Sequence, residues 1–281
     1  MNSISYPKSF EAWRPLARKL LLAEVRPQEL LWQAPDQVGL FVEESDFKPS
    51  NKAAPKIPKA FLDLARTVSC HRSGDQWALL YSLLWRLTHG ERHLLAISTD
   101  PELHPVRSMA KSIGRDIHKM HAFVRFRKVG EDPETKREQF VAWFEPDHRI
   151  VRLASPFFRK RFASMDWSIL TPDECVHWDG EKVYFSEGVD KSKAAGSDAF
   201  DDLWRTYYRS IFNPARLKVK AMQSEMPKKY WKNLPEAEVI RELITSSSDT
   251  TKEMLEAPSS PEKPVPKNDY LKKLQSLDEK A

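Results

Sequence analysis

The stretch Cys175–Phe185 reads CVHWDGEKVYF. Two β-prone runs flank Asp179-Gly180, and Asp-Gly between such runs predicts a hairpin closed by a tight type I′ turn. Working back along the chain, strand-like runs at 122–129 and 138–145 are joined by the polar turn GEDPETKR. Leu30–Gln33 is a further short apolar run. Together these predict a small antiparallel sheet.

Helical spacing fills most of the rest. In 105–120, Val106, Met109, Ile113, Ile117 and Met120 recur on one face, with Arg107, Lys111, Arg115 and His118 on another. A first helix is predicted within 9–24, burying Phe10, Trp13, Ala17 and Leu20, with Pro15 suited to a first turn. Helices at 58–69 and 75–88 follow, the second capped by Asp75. Ser155-Pro156 reads as a helix start ahead of Phe157, Phe158, Arg161 and Phe162, and 148–154 reads equally as strand or helix. A helix is predicted at 198–212, and Asn213-Pro214 restarts another. Residues 44–58 read as a polar, proline-rich loop. With no βαβ alternation visible, the predicted class is α+β: several amphipathic helices around a small antiparallel sheet. One large domain is expected over 1–245, its first 121 residues readable as a helical subdomain. Residues 246–281 read as a low-complexity tail ending in an amphipathic piece with Tyr270, Leu271, Leu274 and Leu277.

Composition removes several function classes. No apolar run approaches the roughly 20 residues of a spanning helix, so no membrane partner is expected. The N-terminus MNSISYPKSFEAWRP lacks the pattern of a secretory signal, and Cys70 and Cys175 are too few for a disulfide framework, so a cytoplasmic protein is expected. None of the 8 glycines forms GxGxxG or GxxxxGK[ST], which argues against a dinucleotide site and a P-loop. No CxxC and no GxSxG occurs. The cofactor is left open, and no residues are assigned as metal ligands.

Charge is unevenly placed. Residues 111–165 carry 13 basic and 7 acidic side chains, 166–200 carry 3 and 8, and 201–232 carry 8 and 3. Two basic blocks thus flank an acidic one, and brought together they would attract phosphates. Within the first, Met120–Lys128 (MHAFVRFRK) read as a strand puts Phe123, Arg125 and Arg127 on one face, suited to stacking a base and clamping phosphates. The plain alternative is a surface strand whose arginines pair with acidic neighbours. Arg159, Lys160 and Arg161 extend this block. In the second, Arg205 and Arg209 lie one turn apart beside Tyr208 and Phe212, with Lys218, Lys220 and the segment MPKKYWKN at 226–233 following. Basic residues among aromatics suit single strands or flipped bases, although many of the aromatics also suit a core. Finally, His118, His121, Glu145 and His148 bracket the 122–145 strands and present groups for acid/base or metal chemistry; capping and backbone satisfaction are the plainer roles.

Several stretches carry a resemblance: RDIHKMHAFVRFRKV, FVAWFEPDHRIVRLASPFFRKRFASMDWSILTP, HWDG and LWRTYYRSIFNPARLKVKAMQSEMPKKYWKNLPEA. Weaker matches lie in FEAWRPLARKLL, PKAFLDLARTVSCHR and ALLYSLLWRL. Over 9–245 the chain resembles a family of bacterial proteins assigned to DNA repair or DNA metabolism and defined by a domain of unknown function. That domain occurs alone beside a radical-SAM DNA-repair protein, or fused to a uracil-DNA-glycosylase-like module. The chain looks like the stand-alone form, ending at Ala281, so the glycosylase chemistry is not expected of it. The resemblance implies DNA as a partner, with a radical-SAM or glycosylase-like protein as a further one, and assigns no catalytic residues. The leading expectation is therefore a DNA-binding accessory protein. The alternatives are an enzyme acting on damaged or modified bases through His118, His121, Glu145 and His148, and an adaptor for a protein partner.

Overall fold

The computed structural model describes residues 2–34, 47, 55–132, 135–191 and 219–256, without the side chains of 219–221, 248–250 and 253–255. The expected loop up to 54 (residue 47 apart), the helix at 198–212, the restart at Asn213-Pro214 and the amphipathic end at 270–277 lie outside them.

Strand β1 (Asn2–Ser5) pairs parallel with β2 (Leu30–Gln33), and helix α1 (Phe10–Leu22) connects them. The Ser9 hydroxyl accepts from the Ala12 amide at 3.2 Å, which fixes the helix start at Phe10 and leaves Pro15 inside the helix rather than in its first turn. Helices α2 (Lys59–Val68), α3 (Gln76–Thr88) and α4 (Leu103–Phe123) follow. Trp13, Phe61, Trp77, Leu80, Tyr81 and Leu103 are buried together with their neighbours as a first core.

A second core lies under a five-stranded sheet of order β3–β4–β5–β6–β7: Arg127–Glu131, Glu138–Trp143, Asp166–Leu170, Glu174–Trp178 and Val183–Glu187. Helix α4 serves both cores, with Leu103 and Val106 in the first and Ile113 and Met120 in the second. Helix α5 (Val151–Arg161) lies between β4 and β5 in sequence and sets Phe158 against Trp167, ring centroids 6.1 Å apart. Because α5 carries the chain across, β4 and β5 are parallel, while the other three pairings are antiparallel. The α+β class holds, with a parallel β1–β2 pair and a mixed five-stranded sheet, each built on one βαβ unit, where a small antiparallel sheet was expected. Short helices α6 (Val219–Glu225) and α7 (Lys228–Trp231) precede α8 (Ala237–Glu256), which continues past the expected end at 245.

Three local expectations are corrected. The run 122–129 is not one strand: α4 persists to Phe123, the Val124 amide donates to the Met120 carbonyl at 3.1 Å, and β3 starts only at Arg127. Burial of Met120 and Val124 on the helical side outweighs the strand propensity of the segment. Helix α5 begins at Val151, ahead of Ser155-Pro156. Pro156 has no amide to offer the Arg152 carbonyl, and the Ser155 hydroxyl donates to that carbonyl instead, at 3.2 Å. The hairpin forms, but its last pair is Trp178–Val183, so Asp179–Lys182 is a four-residue loop rather than a type I′ pair. Asp179 Oδ1 accepts from the Glu181 and Lys182 amides at 2.9 and 2.7 Å, and of the loop residues only Gly180 has positive φ, at 92°. Among the described residues no helix is long and apolar enough to cross a membrane.

Candidate nucleic-acid interface

Strand alternation sorts the sheet into two faces. Phe140, Ala142, Trp167, Ile169 and Val176 point into the second core. On the other face a register row crosses all five strands: Arg127, Val141, Ser168, His177 and Tyr184. His177 is held by the Ser168 and Ser186 hydroxyls at 2.8 and 2.9 Å and stacks on Tyr184 at 4.9 Å. Tyr184 is 52% exposed. Burial lowers the His177 pKa and favours neutral imidazole.

At the Arg127 end of this row lies a pocket of about 100 Å³ lined by Arg125, Arg127, Val141, Trp143, Lys191, Lys232 and Asn233. The cations arrive from three segments of chain. Arg125 and Arg127 come from the turn into β3. Lys191 follows β7, where the Gly188 and Val189 amides donate to the Asp173 and Thr171 carbonyls at 3.2 and 3.0 Å. Lys232 and Asn233 follow α7. Arg125 Nη2 donates to Glu236 Oε1 at 2.8 Å, with both side chains largely buried. Lys191 Nζ donates to Asn233 Oδ1 at 2.6 Å. Glu145 accepts from the Trp143 indole at 2.8 Å and from Lys232 at 2.6 Å. Burial pushes the Glu145 carboxyl up, but the Lys232 and Trp143 hydrogen bonds outweigh it, and the group sits below its ordinary value. A small basic cavity beside an indole can take an anionic group with an aromatic neighbour.

The other expected residues are dispersed. Phe123, on α4 instead of a strand, stacks on Tyr230 at 5.4 Å and belongs to the packing. Arg159, Lys160 and Arg161 are exposed at the C-terminal end of α5, which packs on the core face of the sheet, so they lie across the sheet from the pocket. There they also complement the helix dipole. Arg205, Arg209 and Lys218 lie outside the described residues, as does the Lys220 side chain in α6.

His118, His121, Glu145 and His148 occupy separate surroundings. His118 is exposed on α4. His121 stacks on Phe157 at 4.0 Å, with Nε2 3.3 Å from the Ala154 carbonyl, and burial lowers its pKa. Glu145 stands at the basic pocket. His148 lies between the two cores, its ring 4.4 Å from that of His71 and its Nε2 3.2 Å from the Ser112 hydroxyl. The His148 amide donates to Asp116 Oδ2 at 2.8 Å, and the Tyr230 hydroxyl donates to Asp116 Oδ1 at 3.3 Å. Asp116 is buried, and burial pushes its carboxyl up. Among the described residues no group of three His, Cys, Asp or Glu side chains is placed to hold a metal ion.

A family model described as a domain of unknown function, DUF4130, matches residues 74–236, more than half of the chain. The chain belongs to that family. Every described residue lining the basic pocket, together with Glu145 and Glu236, falls inside the DUF4130 region. No curated protein and no solved structure matches the chain.

Trp143, Lys191, Lys232 and Asn233 are site residues that the sequence reading does not pick out. Lys232 and Asn233 do lie in MPKKYWKN, whose aromatics are core: Tyr230 and Trp231 are buried. Trp143 has a usable signal, an indole on the outward side of an alternating strand. Lys191 has none, since only the fold of β7 brings it near the others.

Proposed function

We propose that this chain binds DNA through the basic pocket and the sheet face beside it, acting as an accessory protein in DNA repair or DNA metabolism. The observation that carries this reading is the convergence of Arg125, Arg127, Lys191 and Lys232, from three separate segments, around a cavity walled by Trp143. Cations gathered from distant parts of a chain supply the phosphate contacts that dominate nucleic-acid affinity. The His177–Tyr184 stack on the same sheet face gives an exposed ring for a base to lie against. The likeness of the long segments around residues 115–172 to DNA-repair proteins supports DNA as the nucleic acid. Within the footprint, Arg127, Lys191 and Lys232 make the contacts, and Arg125, tied to buried Glu236, anchors the pocket wall.

Fluorescence anisotropy of labelled single- and double-stranded DNA over a salt series tests the reading. The expected result is binding at low salt that weakens steadily as salt rises, because displaced counterions set the affinity. Absence of binding at low salt, or affinity indifferent to salt, would overturn it and turn the search to a protein partner.

A further inference from the structure

We infer that the basic pocket receives a phosphate monoester, the group that ends a phosphorylated DNA strand, in preference to an internal phosphodiester. This rests on the nucleic-acid reading above and narrows it to a ligand group. A cavity of about 100 Å³ is far below the roughly 300 Å³ at which sites for drug-sized molecules begin. That size suits one compact polyatomic group better than a nucleoside.

The charge of the wall points the same way. Among the described residues four cations and no carboxylate line the pocket, and Glu145 and Glu236, paired with Lys232 and Arg125, offset part of that charge. Lys191 is bonded to a neutral amide. An internal phosphodiester carries a single negative charge. A monoester carries close to two at neutral pH and offers three acceptor oxygens. A wall of this sign gains more from the second group.

Donor geometry agrees. Lys191 holds the Asn233 amide by its oxygen, at 2.6 Å. That contact fixes the amide orientation and leaves Nδ2 as a buried donor with no acceptor among the described residues. Buried donors are rarely left this way. Val141 and Trp143 form the floor, since both stand on the outward face of β4. A group at the end of a strand enters such a cavity directly, whereas an internal phosphate must bring a sugar in on each side.

The test compares three duplexes of one sequence, ended by a 5′-phosphate, a 3′-phosphate or hydroxyls only, by anisotropy at fixed salt. The protein is used as the full chain, unaltered and as Lys191→Gln and Asn233→Asp, with circular dichroism to confirm folding. Lys191 is exposed, so its substitution leaves the fold intact. One phosphorylated end is expected to bind about tenfold tighter than the hydroxyl end, the worth of one charge-assisted hydrogen bond. Inorganic phosphate should erase that preference, and both variants should bind all three duplexes more weakly than the unaltered chain and with no preference among them. Equal affinity for all three duplexes, with salt-dependent binding retained, overturns the inference and leaves the DNA reading standing. No binding to any duplex removes both.

Discussion

Arg125 and Arg127 look interchangeable in MHAFVRFRK, yet they do different work. Arg125 is joined to Glu236, and the Glu236 side chain is only 3% exposed. Removing the guanidinium strands a buried carboxylate, so Arg125→Ala is expected to cost about 3–5 kcal/mol in urea unfolding. Lys232→Ala breaks a largely solvated pair with Glu145 and is expected to cost under about 1 kcal/mol. A comparable loss in the two variants would contradict this division of labour. The same contrast makes Lys232 a cleaner probe of binding than Arg125. Sequence alone marks both arginines as basic residues beside aromatics; it has no means of showing a carboxylate 111 positions away.

At the level of elements, the sheet was legible wherever strand pattern and turn chemistry agreed. The 174–187 hairpin, β2 and most of β4 appear where alternation and Asp-Gly place them. Strand β5 (DWSIL) escaped notice because it is short and opens on a polar residue, and with it went the parallel pairing. The join of α4 and β3 was misread because a run of alternating apolar and basic residues satisfies both periods over so short a span. One element-level device sets the pocket. A Cβ on Gly188 would stand 2.0 Å from the Pro172 carbonyl oxygen, a backbone atom that cannot swing away. Gly188→Ala is therefore expected to push the segment after β7 off its partners, lowering stability by about 1–3 kcal/mol. It should weaken DNA binding as well, by displacing Lys191. Unchanged thermal stability in that variant would show that the 188–191 segment is not held as described.

At the scale of the molecule, α4 and the His71–His148 ring contact tie the helical core to the sheet core. Burial lowers the pKa of both histidines from an ordinary value of 6.5, and that of His121 and His177 likewise. The unfolded chain then takes up protons that the folded chain refuses, so stability is fully present above about pH 6.5 and falls as pH drops through and below it. Asp116, raised from 3.8, acts in the opposite sense: its protonated form stabilises the fold at lower pH and that contribution is lost as pH rises. Melting temperature should decline from pH 7 to pH 5, and His148→Gln, which keeps a polar side chain near Ser112, should reduce that slope. A melting temperature that rises towards pH 5 would contradict the histidine account. Of the arginines singled out in the basic blocks of the sequence, the described pocket draws on only two, Arg125 and Arg127. Arg159, Lys160 and Arg161 are carried across the sheet by α5, a consequence of the parallel crossover that the linear charge pattern does not reveal.

The most direct measurement is the slope of log affinity for duplex DNA against log salt, for the unaltered chain and for Arg127→Ala/Lys232→Ala. Removing one phosphate-binding cation should flatten that slope by about 0.9, so the double variant is expected to be shallower by close to 2. A double variant with the slope and affinity of the unaltered protein would place DNA binding elsewhere on the molecule and contradict the pocket as its site.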